Sequence, residues 1–222
     1  PKRGSRSGER PLHALRERGV EYIEVRCMDL DPFVPVGIQA QTMRFIDIFL
    51  LHCLLADSPP DTPDEIRALG RNQHRAAARG REPGLLLERG EQVVTLTDWA
   101  GELLGECGAI AQRLDEAHGG TAYADALAAA QAALAAPDEL PSARVLATIE
   151  RDFGGSYTAF VRAQSEQARN RLLALDWPAA LQQRFDDEAA ASLAEQAAIE
   201  AADVLPFEQW RQDYLAPERL RV

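Results

Sequence analysis

Glu24 and Arg26 are the residues of this sequence whose types and spacing best suit a chemical role. They lie within residues 19–33, where side chains would alternate between the two faces of an extended strand. Residues two apart share a face, so these two would lie about 6 to 7 Å apart along the strand. Hard cations prefer carboxylate oxygens as ligands, and a guanidinium group matches the geometry of phosphate. The pair could therefore meet a divalent cation and a phosphate.

The strand that would position this pair has an opposite face of Ile23, Val25 and Cys27, which predicts packing against a core. Charged groups on a mostly buried sheet are costly to desolvate unless other charges meet them. The alternative is a same-face ion pair at the surface of the sheet, which the spacing alone favours.

The composition is typical of a globular protein. The chain has 222 residues, of which 46% are hydrophobic, enough for one domain with a sizeable core. The formal net charge of -11 disfavours broad nucleic-acid binding, because phosphates attract basic surfaces. No stretch offers the roughly 18 apolar residues of a membrane span. The basic residues 1–18 lack the apolar core of a secretory signal, so none is predicted.

Cys27, Cys53 and Cys107 lie far apart in the sequence and form no CxxC pair. This pattern favours reduced thiols in the cytoplasm and no structural zinc site. Cys27, on the packing face of the strand, and Cys53, in an apolar helix, are predicted to be small buried residues. Because the sequence opens on Pro1 rather than methionine, we expect it to be a piece of a longer protein.

Beyond the strand the sequence predicts mostly helices. Pro32 and Pro35 cannot continue a ladder, so the chain should leave the sheet irregularly. Residues 43–56 are apolar almost all round, which predicts a helix central to the core, with His52 packed rather than ligating a metal. Thr62 is predicted to cap the next helix, which ends near residue 79. A hairpin is predicted within residues 85–97, and further helices over residues 98–118, 123–135, 142–152, 157–175 and 176–203.

A group of cations lies on the helix after Thr62 and on the loop that follows it. Helical spacing brings Asn72, Arg75 and Arg79 close to one another, and Arg81 follows just before a Pro-Gly turn. This group could meet a nucleotide or the acidic faces of neighbouring helices, and we favour the structural interpretation.

Five segments of the chain carry a family resemblance: EYIEVRCMDLDPFVPVGI, NQHRAAARGREPGLLL, HGGTAY, PSARVL and EAADVLPFEQW. Together they resemble the C-terminal portion of bacterial glutamate-cysteine ligase, which starts glutathione synthesis, and the resemblance covers essentially the whole chain. It implies that L-glutamate is joined through its γ-carboxylate to L-cysteine, with ATP as co-substrate, a γ-glutamyl phosphate intermediate, and Mg²⁺ or Mn²⁺ as the metal.

The resemblance also implies an α+β fold. Strands of an antiparallel, funnel-like sheet similar to the core of glutamine synthetase would precede a mostly helical C-terminal part. Residues 1–97 would belong to the catalytic sheet domain with its core helices, and residues 98–222 to the helical part packed on it. A larger N-terminal part of the enzyme would carry the other metal ligands and most substrate contacts.

For the site, the resemblance implies that Glu24 is a metal ligand and that Arg26 is catalytic and meets the transferred phosphate. Lys2 and Arg3, in a loop near the family's active site, are candidates for nucleotide contact, as is Arg81; a solvated basic loop is the alternative for the first two. Since one strand cannot assemble a site with several metals, we expect the chain alone to be inactive. A rival interpretation is a non-catalytic helical interaction or scaffold module, in which Glu24 and Arg26 merely pair.

Overall fold

The computed structural model describes residues 2–6, 8–26, 28–216 and 218, which fall into two compact units. The first unit contains the residues up to Asp29 together with those from Leu175 onward, and the second runs from Leu30 to Ala174. The helices of the first unit are α1 (Pro11–Arg18), α9 (Ala179–Ala202) and α10 (Phe207–Leu215). The second unit contains α2 (Ala40–Leu55), α3 (Pro63–Arg79), β1 (Leu86–Arg89), β2 (Gln92–Thr95), α4 (Leu96–Glu106), α5 (Gly108–His118), α6 (Ala122–Ala135), a 3-10 turn (Pro137–Glu139), α7 (Pro141–Phe153) and α8 (Tyr157–Leu173).

The core of the second unit forms where α2, α4, α5 and α6 meet. Ile48 of α2 is fully buried and packs with Leu104, Cys107, Ala111 and Leu127. Helix α6, with the sequence AYADALAAAQAALA, presents mostly small side chains, and it packs closely on α2. Burying an aliphatic side chain such as Ile48 contributes about 1.5–3 kcal/mol, so this cluster holds the four helices together.

A two-stranded antiparallel sheet contacts α3. Leu86 pairs with Thr95 and Arg89 pairs with Gln92, and Gly90 at the turn has a φ of 61° that favours glycine. The hairpin predicted within residues 85–97 is therefore confirmed.

Helices α7 and α8 pack around Phe160, which is buried. Its ring meets those of Phe33 and Phe153 edge-on, with centroids 6.0 and 5.7 Å apart. Gly154 ends α7 in the left-handed conformation, with φ 54° and ψ 38°, and the Ser156 side chain accepts a backbone N–H to cap α8. The chain can thus reverse between the two helices.

In the first unit, α9 is a helix of 24 residues, every one of which is exposed. Arg10 ties the start of α1 to α10: it donates to the Tyr214 carbonyl at 2.5 Å and lies 4.4 Å from the centre of that ring. None of the helices that the structure describes, α9 included, has the length and apolarity needed to cross a membrane.

The strand predicted around Glu24 is not formed among the described residues. Residues 20–26 make a single bridge, between Lys2 and Tyr22, and Ile23 and Val25 are 52% and 48% exposed, so their predicted burial is wrong. The reason is that a strand buries a face only when neighbouring strands extend the sheet, and here one residue pairs. Cys27 lies outside the described residues. The mostly helical later part is confirmed, whereas the funnel-like sheet stays a prediction.

Several helix boundaries follow their sequence signals. Thr62 caps α3, accepting from the Glu65 backbone at 3.2 Å as predicted. The helix predicted over residues 98–118 is instead two helices, α4 and α5, which meet at Cys107, and Thr95 caps α4. The predicted boundary between residues 97 and 98 falls within α4, and the division into domains 1–97 and 98–222 stays a prediction.

The two thiols that the structure describes are free and differ in burial. Cys107 is buried, and the loss of solvation raises the pKa of its thiol. Cys53 is exposed, which corrects the prediction of a small buried residue. The physical reason is that α2 is apolar almost all round but packs along one face, and Cys53 lies off that face, unlike Ile48.

Candidate functional site

The N-terminal segment and residues 20–26 are joined by backbone hydrogen bonds. The Lys2 N–H donates to the Tyr22 carbonyl at 2.8 Å, and the Glu21 and Tyr22 N–H groups donate to the Lys2 carbonyl at 2.9 and 3.2 Å. This bridge brings the Lys2 ammonium to 3.6 Å from Glu24 Oε2. Two cations, Lys2 and Arg26, therefore flank one carboxylate.

Arg26 makes the closest contacts with Glu24. Its Nε donates to Oε2 at 2.8 Å, and its Nη2 lies 2.6 Å from the same atom. Both side chains reach solvent, at 37% exposure for Glu24 and 69% for Arg26. Within this chain the pair matches the surface ion pair that the spacing alone favours, rather than a pair on a buried sheet.

The electrostatics keep Glu24 ionised. The hydrogen bond from Arg26 lowers the pKa of the Glu24 carboxyl, and the nearby Lys2 adds to this effect. The Arg26 hydrogen bond and the shortest distances from Arg26 and Lys2 all fall on Oε2, and among the described residues Oε1 accepts no hydrogen bond. A metal ligand needs both an ionised carboxylate and an available oxygen, and Glu24 offers both.

Arg3 has its donors engaged in the backbone. Its Nε donates to the Gly19 carbonyl at 2.9 Å and its Nη2 to the Arg18 carbonyl at 2.5 Å, where α1 ends. Its Nη1 lies 3.7 Å from Glu21 Oε2. In this chain Arg3 thus has a structural role, and its contact with a nucleotide stays a prediction.

A second ion pair fixes the N-terminal loop to α1. Arg18 donates to both oxygens of Glu9, at 2.6 and 2.7 Å, and to the Gly4 carbonyl at 3.0 Å. Hydrogen bonds from Arg18 and the Arg6 backbone lower the pKa of the Glu9 carboxyl to about 2. The loop that carries Lys2 is held in place by this contact.

The cations around Asn72 lie in the second unit and have structural partners. Asn72 is buried and exchanges two hydrogen bonds with the backbone of Glu88, at 2.7 and 2.9 Å. Arg71 and Arg75 contact the Glu88 carboxylate at 2.5 and 2.9 Å, and Arg79 pairs with Glu82. The structural interpretation of these residues agrees with the observed contacts.

Arg81 lies apart from those ion pairs, in the loop between α3 and β1. It lines a pocket of about 670 Å³ in the second unit, whose walls are mainly apolar. Its contact with a nucleotide, predicted from the family resemblance, stays a prediction.

The described residues hold no cluster of three or more His, Cys, Asp or Glu side chains that could bind a metal. His52, whose Nε2 lies 3.4 Å from Glu106, packs in α2 as expected. Glu24 can therefore supply one ligand. This fits Mg²⁺, which proteins often hold through one or two carboxylates while phosphates and water complete the shell.

Comparisons with known proteins show which family this chain resembles. Residues 1–76 match the family model described as glutamate-cysteine ligase. The glutamate-cysteine ligase of Azotobacter vinelandii is 45% identical over 216 residues, which are 97% of this chain and 41% of the relative. That of Bordetella parapertussis is 43% identical over 218 residues, again 97% of this chain and 41% of the relative.

A solved structure agrees with the sequence relatives. The crystal structure of glutamate-cysteine ligase from Francisella tularensis in complex with AMP superposes with a TM-score of 0.86 and 31% identity. The match covers 96% of this chain and 42% of the solved chain.

The chain thus corresponds to a portion of a ligase, since the matched relatives carry that name. The resemblance to bacterial glutamate-cysteine ligase drawn from the sequence is confirmed. The chain spans 41% of the length of the curated relatives described above.

The structure brings Glu24, Arg26 and Lys2 together. The sequence indicated the first two by their spacing, whereas the approach of Lys2 depends on a backbone bridge across 20 residues that no local pattern signals. Among the features that the sequence did not single out are the pairing of Glu9 with Arg18 and the two hydrogen bonds of Asn72. The basic and acidic residues within 1–18 were a signal for the first of these.

Proposed function

We propose that this chain supplies part of the active site of an ATP-dependent ligase that joins the γ-carboxylate of L-glutamate to the amine of L-cysteine, the first step of glutathione synthesis. The family resemblance supports the reaction class, and the AMP complex of the Francisella structure supports an adenine nucleotide as substrate. The observation that carries the proposal is the ionised Glu24, flanked by Lys2 and Arg26, with Oε1 available.

The proposed reaction has two steps, because a carboxylate is a poor electrophile. First, a γ-carboxylate oxygen of glutamate attacks the γ-phosphorus of ATP, the bond to ADP breaks, and γ-glutamyl phosphate forms. Then the cysteine amine attacks the acyl carbon, the carbon–oxygen bond to phosphate breaks, and the amine loses a proton as the amide forms. The first step brings two anions together, so it needs positive charge at the transferred phosphate.

Arg26 is the group we assign to that charge. Its guanidinium is exposed and can turn its remaining N–H donors toward a phosphate while Nε stays on Glu24. Lys2, on the other side of Glu24, is placed to contact the same nucleotide, and Arg3 and Arg81 are weaker candidates.

Glu24 is the residue we assign to the metal, through Oε1. A bound Mg²⁺ or Mn²⁺ would offset charge on the triphosphate. Lys2 and Arg26 hold the carboxylate in place and keep it ionised for that role.

The rest of the active site would come from the part of the ligase that this chain does not span. The part that matches this chain is 41% of the Azotobacter relative, which is therefore more than twice as long as its matched part. We therefore expect the chain alone to turn over no ATP in the presence of glutamate and cysteine. The proposed compartment is the cytoplasm, where the free thiols of Cys53 and Cys107 would stay reduced.

The test uses the full-length ligase with Glu24→Gln and Arg26→Ala. We expect each to lower kcat by about 100-fold or more, because each removes charge that matters most in the transition state. The matched control is Glu208→Gln with Arg211→Ala, which breaks a surface pair of similar geometry, 2.7 and 2.8 Å, in α10.

The rival scaffold module predicts a different result. If Glu24 and Arg26 merely pair, their variants would turn over ATP like the control, with an unchanged KM for ATP. Circular dichroism and urea unfolding of each variant separate lost catalysis from lost fold, because an exposed ion pair contributes little to stability.

A further inference from the structure

The pocket beside Arg81 is built from three helices, a loop and the segment of residues 137–140 that follows α6, all in the second unit. Its volume of about 670 Å³ lies within the range of about 300 to 1,000 Å³ that is usual for small-molecule sites. The loop of residues 80–84 forms one side, and α2, α4 and α6 supply the walls, among them Phe45, Phe49, Leu103, Ala133 and Leu134. Most of the lining is aliphatic or aromatic.

The space follows from the packing of α6. Ala130 and Ala133 face the pocket with side chains too small to fill it, while Leu127 anchors the helix in the core with Ile48. Phe45 and Phe49 stack with centroids 6.2 Å apart on the opposite wall, and Phe49 is still 37% exposed. Because the helices are fixed by the core, the walls cannot close over the gap.

The charge at the edge of this pocket is positive. Arg79 donates two hydrogen bonds of 2.6 Å each to the Glu82 carboxylate, so the charges of these two residues offset one another. Among the described residues, the Arg81 side chain makes no hydrogen bond or ion pair, whereas Arg79 makes both. The loop is held by backbone hydrogen bonds from Glu82 to Arg79 and from Leu85 to Glu82, at 2.8 and 3.2 Å, which keeps Arg81 at the pocket.

We propose that this pocket binds an amphiphilic carboxylate, with its apolar chain against α2, α4 and α6 and its carboxylate at Arg81. An apolar chain removes the exposed face of Phe49 from water, and the guanidinium suits a carboxylate in geometry and charge. A nucleotide fits less well, because its base and ribose hydroxyls would lie against walls that offer few hydrogen-bond partners. The pocket would thus be separate from the ATP-dependent chemistry proposed for Glu24 and Arg26, and Arg81 would bind the carboxylate in place of the nucleotide.

The experiment compares decanoate with decanol, which share a chain length and differ in charge, by calorimetry on the full-length ligase. We expect decanoate to bind about three- to fivefold more tightly, the size of an exposed charge contact. Arg81→Gln should make the two affinities equal, whereas Arg113→Gln, on the exposed surface of α5 away from the pocket, should leave the difference unchanged. Ala133→Phe, which fills the space, should weaken both ligands.

Three results would overturn the proposal. If decanoate and decanol bind the unchanged protein with equal affinity, Arg81 does not contribute to binding of the carboxylate. Binding of neither ligand by the full-length enzyme would show that another segment of the ligase covers the pocket. Displacement of decanoate by AMP in the unchanged protein would make this a nucleotide site instead.

Discussion

Asn72→Ala should destabilise the second unit by about 2–3 kcal/mol. The side chain is buried, it donates to the Glu88 carbonyl at 2.7 Å, and it accepts from the Glu88 N–H at 2.9 Å. Each such bond contributes about 1 kcal/mol net, and the two backbone groups of β1 would be left without partners in a partly buried place. The change also gains about 0.5 kcal/mol of helix propensity, which offsets a small part of the loss.

The same site allows a second test. Asn72→Asp keeps an oxygen that accepts from the Glu88 N–H but places a second carboxylate oxygen against the Glu88 carbonyl, two acceptors with no hydrogen between them, so we expect it to cost at least as much as the alanine variant. Asn170→Ala, at an exposed position of α8, provides the control with the same gain in helix propensity. Its effect should be within about 0.5 kcal/mol of zero.

The assay is urea unfolding followed by fluorescence. The chain has three tryptophans, and Trp99 lies in α4 beside the hairpin, with the Arg89 guanidinium 5.3 Å from its ring. Replacing Trp177 and Trp210 by Phe leaves Trp99 as the reporter of the second unit. If Asn72→Ala is no more destabilised than Asn170→Ala, then the two hydrogen bonds do not anchor the hairpin to α3.

The remaining predictions concern the core, a low pKa and two glycines. Phe160→Ala should cost about 3–5 kcal/mol in urea unfolding because it leaves a cavity between two rings, whereas exposed Tyr157→Ala should cost little. The Arg71 hydrogen bond lowers the pKa of Glu88 to about 2. The stability that this ion pair gives the folded chain is therefore fully present above about pH 4.3 and is lost as the pH falls toward 2. Glu88→Gln should therefore flatten an acid titration of stability in that window, and an unchanged slope would contradict the pairing. Gly154→Ala should lower the free energy of unfolding by about 1–2 kcal/mol because φ is positive, and the thermal midpoint should fall. Gly101→Ala, inside α4 with open space around it, should raise the free energy of unfolding by up to about 1 kcal/mol, and the thermal midpoint should rise.

Local signals in the sequence predicted most of the helices. Thr62 with Glu65 marks the start of α3, and Gly90 between two short apolar runs marks the hairpin, because capping and turn geometry depend on a few neighbouring residues. The break at Cys107 was not predicted, since no proline is present there and the apolar pattern runs on through both helices.

Long-range features were harder to predict. Alternation around Ile23 predicted burial on a sheet, but burial depends on partner strands. Among the described residues, Lys2 is the backbone partner of residues 20–26, and Ile23 is exposed. The contact between Glu24 and Arg26 agrees with the prediction from their spacing, because side-chain direction is local. Their surface pairing and the approach of Lys2 depend on which segments fold against them, which spacing does not encode.

Helix α9 should open to solvent independently of the core of the second unit. Its residues are all exposed, so its order in this chain depends on its own backbone hydrogen bonds and on short-range contacts such as that of Trp177 with Phe185. Amide protons along it should exchange with solvent through helix–coil fluctuations of the helix itself, long before the core around Ile48 opens. In a protease digest of this chain, cuts should accordingly collect within residues 179–202 while the second unit is still intact.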